Sequence, residues 1–138
     1  LANLYPDTGI LILSGPEDSD AREAIIQILE RQQTRKNISI LPNDIEIGNF
    51  MATMSRCSVI ITSDTFTFHA AEALEIPTVA FIGPMPLREL ETNQKSVLIG
   101  PKLECSPCFY KCTRPTLGEC MVNIQVDEII QAVNSLTA

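Results

Sequence analysis

The sequence predicts an α/β fold: a Rossmann-like, doubly wound and mainly parallel sheet of about five strands. Three observations carry the prediction. Short apolar, β-branched runs recur along the chain at 10–13, 38–41, 59–62, 78–82 and 97–99. Segments with helical periodicity separate them. The runs are also continuously apolar rather than alternating, the pattern of strands buried on both faces of a parallel sheet.

Each element has a local cause. The first run, Ile10, Leu11, Ile12 and Leu13, is strand-sized and follows a stretch at 1–6 that reads as the end of a helix. Residues 21–32 give the clearest helix: Ala21, Ile25, Ile28 and Leu29 share one face, with Arg22, Glu23, Glu30 and Arg31 mostly opposite. Asp18, Ser19 or Asp20 would cap it. A second helix is predicted at 47–57, striped by Phe50, Met51 and Met54, and a third at 66–74. From 100 to 119, three prolines, two glycines and three cysteines break both periods, which predicts a loop. Helical spacing returns at 126–136 through Val126, Ile129, Ile130 and Val133. The whole of 1–138 is expected to be a single domain with a Cys-rich loop at 100–120, and its abrupt start suggests a chain cut from something longer.

The 138 residues are 45% hydrophobic, enough for a core without metal or disulfide, and carry a net charge of −7. An acidic surface repels phosphate backbones and anionic headgroups, so nucleic acid and membrane surfaces are unfavourable partners. No apolar run reaches the roughly 18 residues of a spanning helix, and the start lacks the charged-then-apolar pattern of a signal peptide. A cytoplasmic protein is expected. Five cysteines are too few for a disulfide scaffold in a chain this size, and their odd number leaves at least one unpaired.

In an open α/β sheet, ligands bind beyond the carboxyl ends of the strands. The loop leaving the third strand reads Ser63-Asp64-Thr65-Phe66-Thr67-Phe68-His69 and runs straight into a helix. A helix beginning there aims its backbone N–H groups and positive dipole end at the crevice, which suits a phosphate. Thr65 and Thr67 add hydroxyls, and His69, the sole histidine, lies one turn in. The loop after the fourth strand begins Gly83-Pro84, where a glycine lets other groups approach the backbone closely. The plainer alternative is that Asp64 or Ser63 merely caps the helix and His69 packs inside.

The stretch Ser63-Asp64-Thr65-x-x-x-His69-x-Ala71-x-Ala73-Leu74-x-x-Pro77-Thr78-Val79-Ala80-x-x-Gly83-Pro84 resembles glycosyltransferase family 9, the ADP-heptose:lipopolysaccharide heptosyltransferases and their bacterial relatives. The likeness extends from Gly15-Pro16-Glu17 through Cys105-x-Pro107-Cys108 to Cys120-Met121. It implies the C-terminal, donor-binding half of a two-domain GT-B enzyme, with an N-terminal acceptor domain as its partner. By that resemblance Thr65 and the backbone of Phe66 and Thr67 would hold the phosphates of a nucleotide-diphosphate sugar such as ADP-heptose. His69 would stand near the diphosphate, Asp64 would take a sugar hydroxyl, and Asp44 or Glu46 would reach the ribose. Transfer to lipopolysaccharide or another saccharide acceptor would use a carboxylate base from the N-terminal half, so the fragment alone would be inactive. No cofactor is required by that scheme. The family usually has glycine where this chain has Phe66, a side chain that could crowd the phosphates.

Cys105, Cys108, Cys112 and Cys120 put four sulfurs on one loop, a number that suits structural zinc or an iron–sulfur cluster; free thiols are the alternative. Cys57 reads as core packing. Two rival functions are expected to leave different traces. One is a receiver-type signalling domain, with Asp64 as phospho-acceptor beside Glu17, Asp18 and Lys102. The other is a nucleotide-binding module without transferase activity.

Overall fold

The computed structural model describes residues 1–32, 36–92, 95–115 and 118–138. All five strands form where the apolar runs lie, and every pairing is parallel. They make two sheets rather than one: β1 (Ile10–Ile12) with β2 (Ile38–Ile40), and β3 (Ile60–Ser63), β4 (Thr78–Phe81) and β5 (Ser96–Ile99) in that order. Contacts divide the chain into two compact units, Leu1–Phe50 and Met51–Ala138, each holding one sheet.

In the first unit, Ile10 pairs with Ile38 and Ile12 with Ile40. These four are half-buried, whereas Leu11 and Ser39 on the other face are exposed. The continuous-burial pattern therefore does not hold for these two short strands, which alternate instead. The opening residues are a turn, not a helix end: the N–H groups of Leu4 and Tyr5 both donate to the Leu1 carbonyl. The Asn37 side-chain amide pins that turn, donating to the carbonyls of Tyr5 and Thr8 at 2.9 Å each.

A 3-10 turn, Pro16–Asp18, leads directly into helix α1 (Ser19–Gln32). The α1 face differs from the sequence expectation. Arg22, Ile26 and Leu29 are half-buried, while Ala21, Ile25 and Ile28 are exposed. The reason lies at the end of β2, where Arg22 donates from Nε and Nη2 to the Leu41 carbonyl, so the guanidinium turns inward to serve a backbone acceptor. Helix α2 (Ile47–Met54) is shorter than predicted. The N–H groups of Arg56 and Cys57 return to the carbonyls of Thr53 and Met54 in i→i+3 bonds that tighten its end.

The second unit carries the deep core. Successive β4 residues point to opposite faces, yet Thr78, Val79 and Ala80 are all fully buried, so this strand is covered on both sides. Helix α3 (Phe66–Ala73) packs on β3 and β4, with Phe68 against Ala80 and Ile82. Helix α5 (Val126–Thr137) packs on β4 and β5 and buries Ala132 and Val133. α3 ends at Glu75 in the left-handed region (φ 55°). The N–H of Ile76 reaches the Ala71 carbonyl and that of Glu75 reaches the Glu72 carbonyl, the paired bonds of a Schellman end. At the end of the 100–120 segment one element was not anticipated, the single-turn helix α4 (Glu119–Val122) entered through Gly118 at φ 82°. Among the described residues no helix is long and apolar enough to cross a membrane.

Candidate functional site

The site is built where β3 hands over to α3. Ser63 is the last strand residue and is half-buried, while Asp64, Thr65 and Phe66 are exposed. Thr65 occupies the position before the helix in an extended conformation (φ −142°, ψ 176°), and no side chain makes a capping hydrogen bond there. The Thr65 hydroxyl instead lies 3.2 Å from that of buried Thr62 and 3.4 Å from the Ser63 carbonyl. Neither Asp64 nor Ser63 is the cap, and His69, with its side chain 64% exposed, is not a packed interior residue. Both plain alternatives from the sequence therefore fail.

His69 Nε2 stands 3.6 Å from Asp64 Oδ1, and its ring meets Phe68 edge-on with centroids 5.2 Å apart. Thr67 is half-buried, at the first turn of the same helix. Phe66, where the resemblance leads one to expect glycine, is the first residue of α3 and is 53% exposed. It introduces no left-handed conformation; among the described non-glycine residues that occurs at Glu75, Phe109 and Tyr110.

The loop after β4 closes the other side. Gly83 and Pro84 join Ser63, Asp64, Tyr110 and Met121 around an open cleft of about 160 Å³. A methyl placed on Gly83 would lie 2.6 Å from the Met121 sulfur and 3.5 Å from Cys120 Sγ. The absent side chain thus makes room for α4. The Cys-rich loop is fastened to the same place, because the N–H groups of Cys108 and Phe109 both donate to the Pro84 carbonyl at 3.1 and 3.0 Å.

All five cysteines are free. Cys105, and Glu119 across 3.7 Å, hold the neighbouring Arg114 guanidinium above its ordinary range. Among the described residues no three His, Cys, Asp or Glu side chains gather in a way that could hold a metal ion. Cys57 donates its thiol to the Thr53 carbonyl at 3.6 Å, and burial pushes that thiol up from its usual value. Lys102 is engaged in an ion pair with Glu128 of α5.

Asp44 and Glu46 belong to the first unit, on the exposed loop leaving β2, where the Glu46 carbonyl accepts the first bond of α2 from Phe50. Sequence reasoning missed two features of these strand ends. One is Tyr110, which lines the cleft from the loop. The other is Ser14, just past β1, whose hydroxyl is buried and without a partner among the described residues.

Comparison with known proteins gives a consistent result. The model of glycosyltransferase family 9 (heptosyltransferase) matches residues 1–117. The structure of E. coli ADP-heptose LPS heptosyltransferase II is similar with a TM-score of 0.73 and 19% identity. A family 9 glycosyl transferase from Veillonella parvula is similar with a TM-score of 0.67 and 21% identity. Each likeness covers 93% of this chain and 36% of the other, so the chain spans little more than a third of those enzymes. At these identities the likeness speaks for the fold. No curated protein matches the sequence.

Proposed function

Because the chain belongs to glycosyltransferase family 9, we propose that it is the donor-binding part of a GT-B enzyme that transfers a sugar from a nucleotide diphosphate to a saccharide. The observation that carries the reading is the Ser63–Asp64–Thr65 turn at the carboxyl end of β3. Asp64 and Thr65 are exposed there and uncommitted to capping, with His69 beside Asp64 one turn into α3.

The chemistry follows from the residues. The positive end of α3 and the Thr65 hydroxyl stabilise the diphosphate, both as bound ligand and as leaving group when the glycosidic bond breaks. His69 donates a further hydrogen bond to a phosphate oxygen. A carboxylate repels phosphate but accepts from hydroxyls, so Asp64 takes a hydroxyl of the sugar. The acceptor's hydroxyl is deprotonated by a base from the other half of the enzyme, and the reacting groups meet only when both halves are assembled. We place the donor among ADP-heptose-like compounds and the acceptor among saccharides such as lipopolysaccharide core, in the cytoplasm. The support is the family match and the ADP-heptose and LPS named for the E. coli neighbour.

Calorimetric titration with ADP, ADP-heptose, UDP and UDP-glucose, with and without magnesium, tests the reading. Magnesium-independent binding of one nucleotide series is expected. A response only to magnesium with a phosphoryl mimic such as beryllofluoride would replace it with the receiver reading.

A further inference from the structure

Phe109 and Tyr110 are consecutive bulky residues held in the left-handed region, at φ 50° and 63°. Such a conformation is rare for aromatic side chains and costs energy at each position, so the surrounding structure must impose it. Here the imposing contacts are visible: the Pro84 carbonyl accepts from Cys108 and Phe109, and the Lys111 N–H returns to the Cys108 carbonyl at 2.8 Å. The result is a Tyr110 residue that remains 76% exposed while lining the same cleft as Ser63 and Asp64. Tyr110 thus offers an aromatic face, with its hydroxyl still in water, to whatever enters the cleft.

The cleft states what kind of partner. Its charged wall residue is Asp64, which disfavours phosphate, and the remaining lining beside Tyr110 includes Ile82, Gly83 and Met121. Its volume of about 160 Å³ lies below the roughly 300–1,000 Å³ of sites that enclose a whole drug-sized ligand. It therefore takes one part of a larger molecule. Asp64 directly precedes Thr65 at the start of α3, so on the donor reading above the group held here adjoins the phosphates. A pyranose ring satisfies all of this, with an apolar C–H face for an aromatic ring and a hydroxyl edge for a carboxylate.

We propose that Tyr110 is the sugar-facing wall of the donor site, its ring against the face of the transferred sugar and Asp64 at the sugar's hydroxyl edge. The assignment rests on the donor reading above and adds to it a residue that distinguishes sugar from nucleotide. Tyr110 is a positioning and specificity residue, carried by the Cys-rich loop rather than by the sheet.

The test is titration of the wild-type chain, Tyr110→Ala and Tyr110→Phe with ADP, ADP-heptose, UDP and UDP-glucose. Tyr110→Ala is expected to weaken the nucleotide sugar roughly 3- to 10-fold and to leave the matching nucleoside diphosphate unchanged, while Tyr110→Phe keeps wild-type affinity for both. Equal weakening of both ligands would move Tyr110 to the ribose or base and overturn the assignment. Loss in Tyr110→Phe equal to that in Tyr110→Ala would overturn the ring-face contact. Unchanged nucleotide-sugar affinity in Tyr110→Ala would overturn Tyr110 alone and leave the donor reading standing, whereas a wild type that binds none of the four would overturn both.

Discussion

His69 Nε2 and Asp64 Oδ1 stand 3.6 Å apart across the first turn of α3, beyond hydrogen-bond length but close enough for the carboxylate to orient the ring. The imidazole is thus steered by a neighbour while most of its surface remains available to a ligand. Replacing His69 or Thr65 by Ala is expected to weaken nucleotide-sugar affinity by about 1–3 kcal/mol each, the loss for one hydrogen bond to a charged oxygen. Calorimetry on the two variants checks this, and unchanged affinity in both would remove the phosphate site from α3.

Gly83 is predicted to be coupled to Met121. The methyl of Gly83→Ala meets the Met121 sulfur at 2.6 Å, and overpacking of this kind costs about 1–3 kcal/mol. Thermal unfolding of Gly83→Ala, Met121→Ala and the double variant should give a favourable coupling of about 0.5–3 kcal/mol. Simple additivity would show that Met121 moves aside at no cost.

Glu75 should be replaceable to advantage. A side chain in the left-handed region costs about 1–2 kcal/mol, and glycine avoids that cost at the end of a Schellman motif. Glu75→Gly is therefore expected to raise the unfolding midpoint by a few degrees, the equivalent of about 1 kcal/mol. A lower midpoint would mean that the Glu75 side chain contributes more than its backbone costs.

Cys57 gives the pH prediction. Burial raises its thiol above the ordinary range, so in alkaline solution the folded chain keeps a proton that the unfolded chain has lost. Stability is unaffected by this group below the ordinary thiol range, near pH ~8.5, and falls as pH rises from there through the folded value. Cys57→Ala should flatten that part of the pH profile of the melting temperature. The same burial reduces thiolate, so in wild type Cys57 should be the slowest of the five cysteines to react with iodoacetamide at pH 8.

Phe68 is the anchor of the second unit's core, fully buried against Ala80 and Ile82. Phe68→Ala is expected to cost about 3–5 kcal/mol in chemical denaturation. A cost near 1 kcal/mol would mean that Met85, Leu90 and Leu98, which border the same cluster, collapse into the space.

What the sequence made legible was the part governed by local pattern. Apolar runs located all five strands, and the change from strand to helix at Phe66 fell where Ser63-Asp64-Thr65 announced it. What it hid was governed by partners distant along the chain. Arg22 reads as a solvent residue until Leu41 presents a carbonyl to it. The four residues of α4 are too few to show a period, and Phe109 and Tyr110 have none of the composition that predicts a left-handed backbone. The place of Cys120 beside Gly83 is likewise set by a partner distant along the chain.

The two hydrogen bonds that the Pro84 carbonyl accepts from Cys108 and Phe109 involve main-chain atoms alone. These two bonds thus call for no particular side chain at Cys108 or Phe109. A substitution at Tyr110 would leave both of these bonds in place. For the engineer this is a cassette: a segment whose recognition surface can be rewritten while its fastening stays constant.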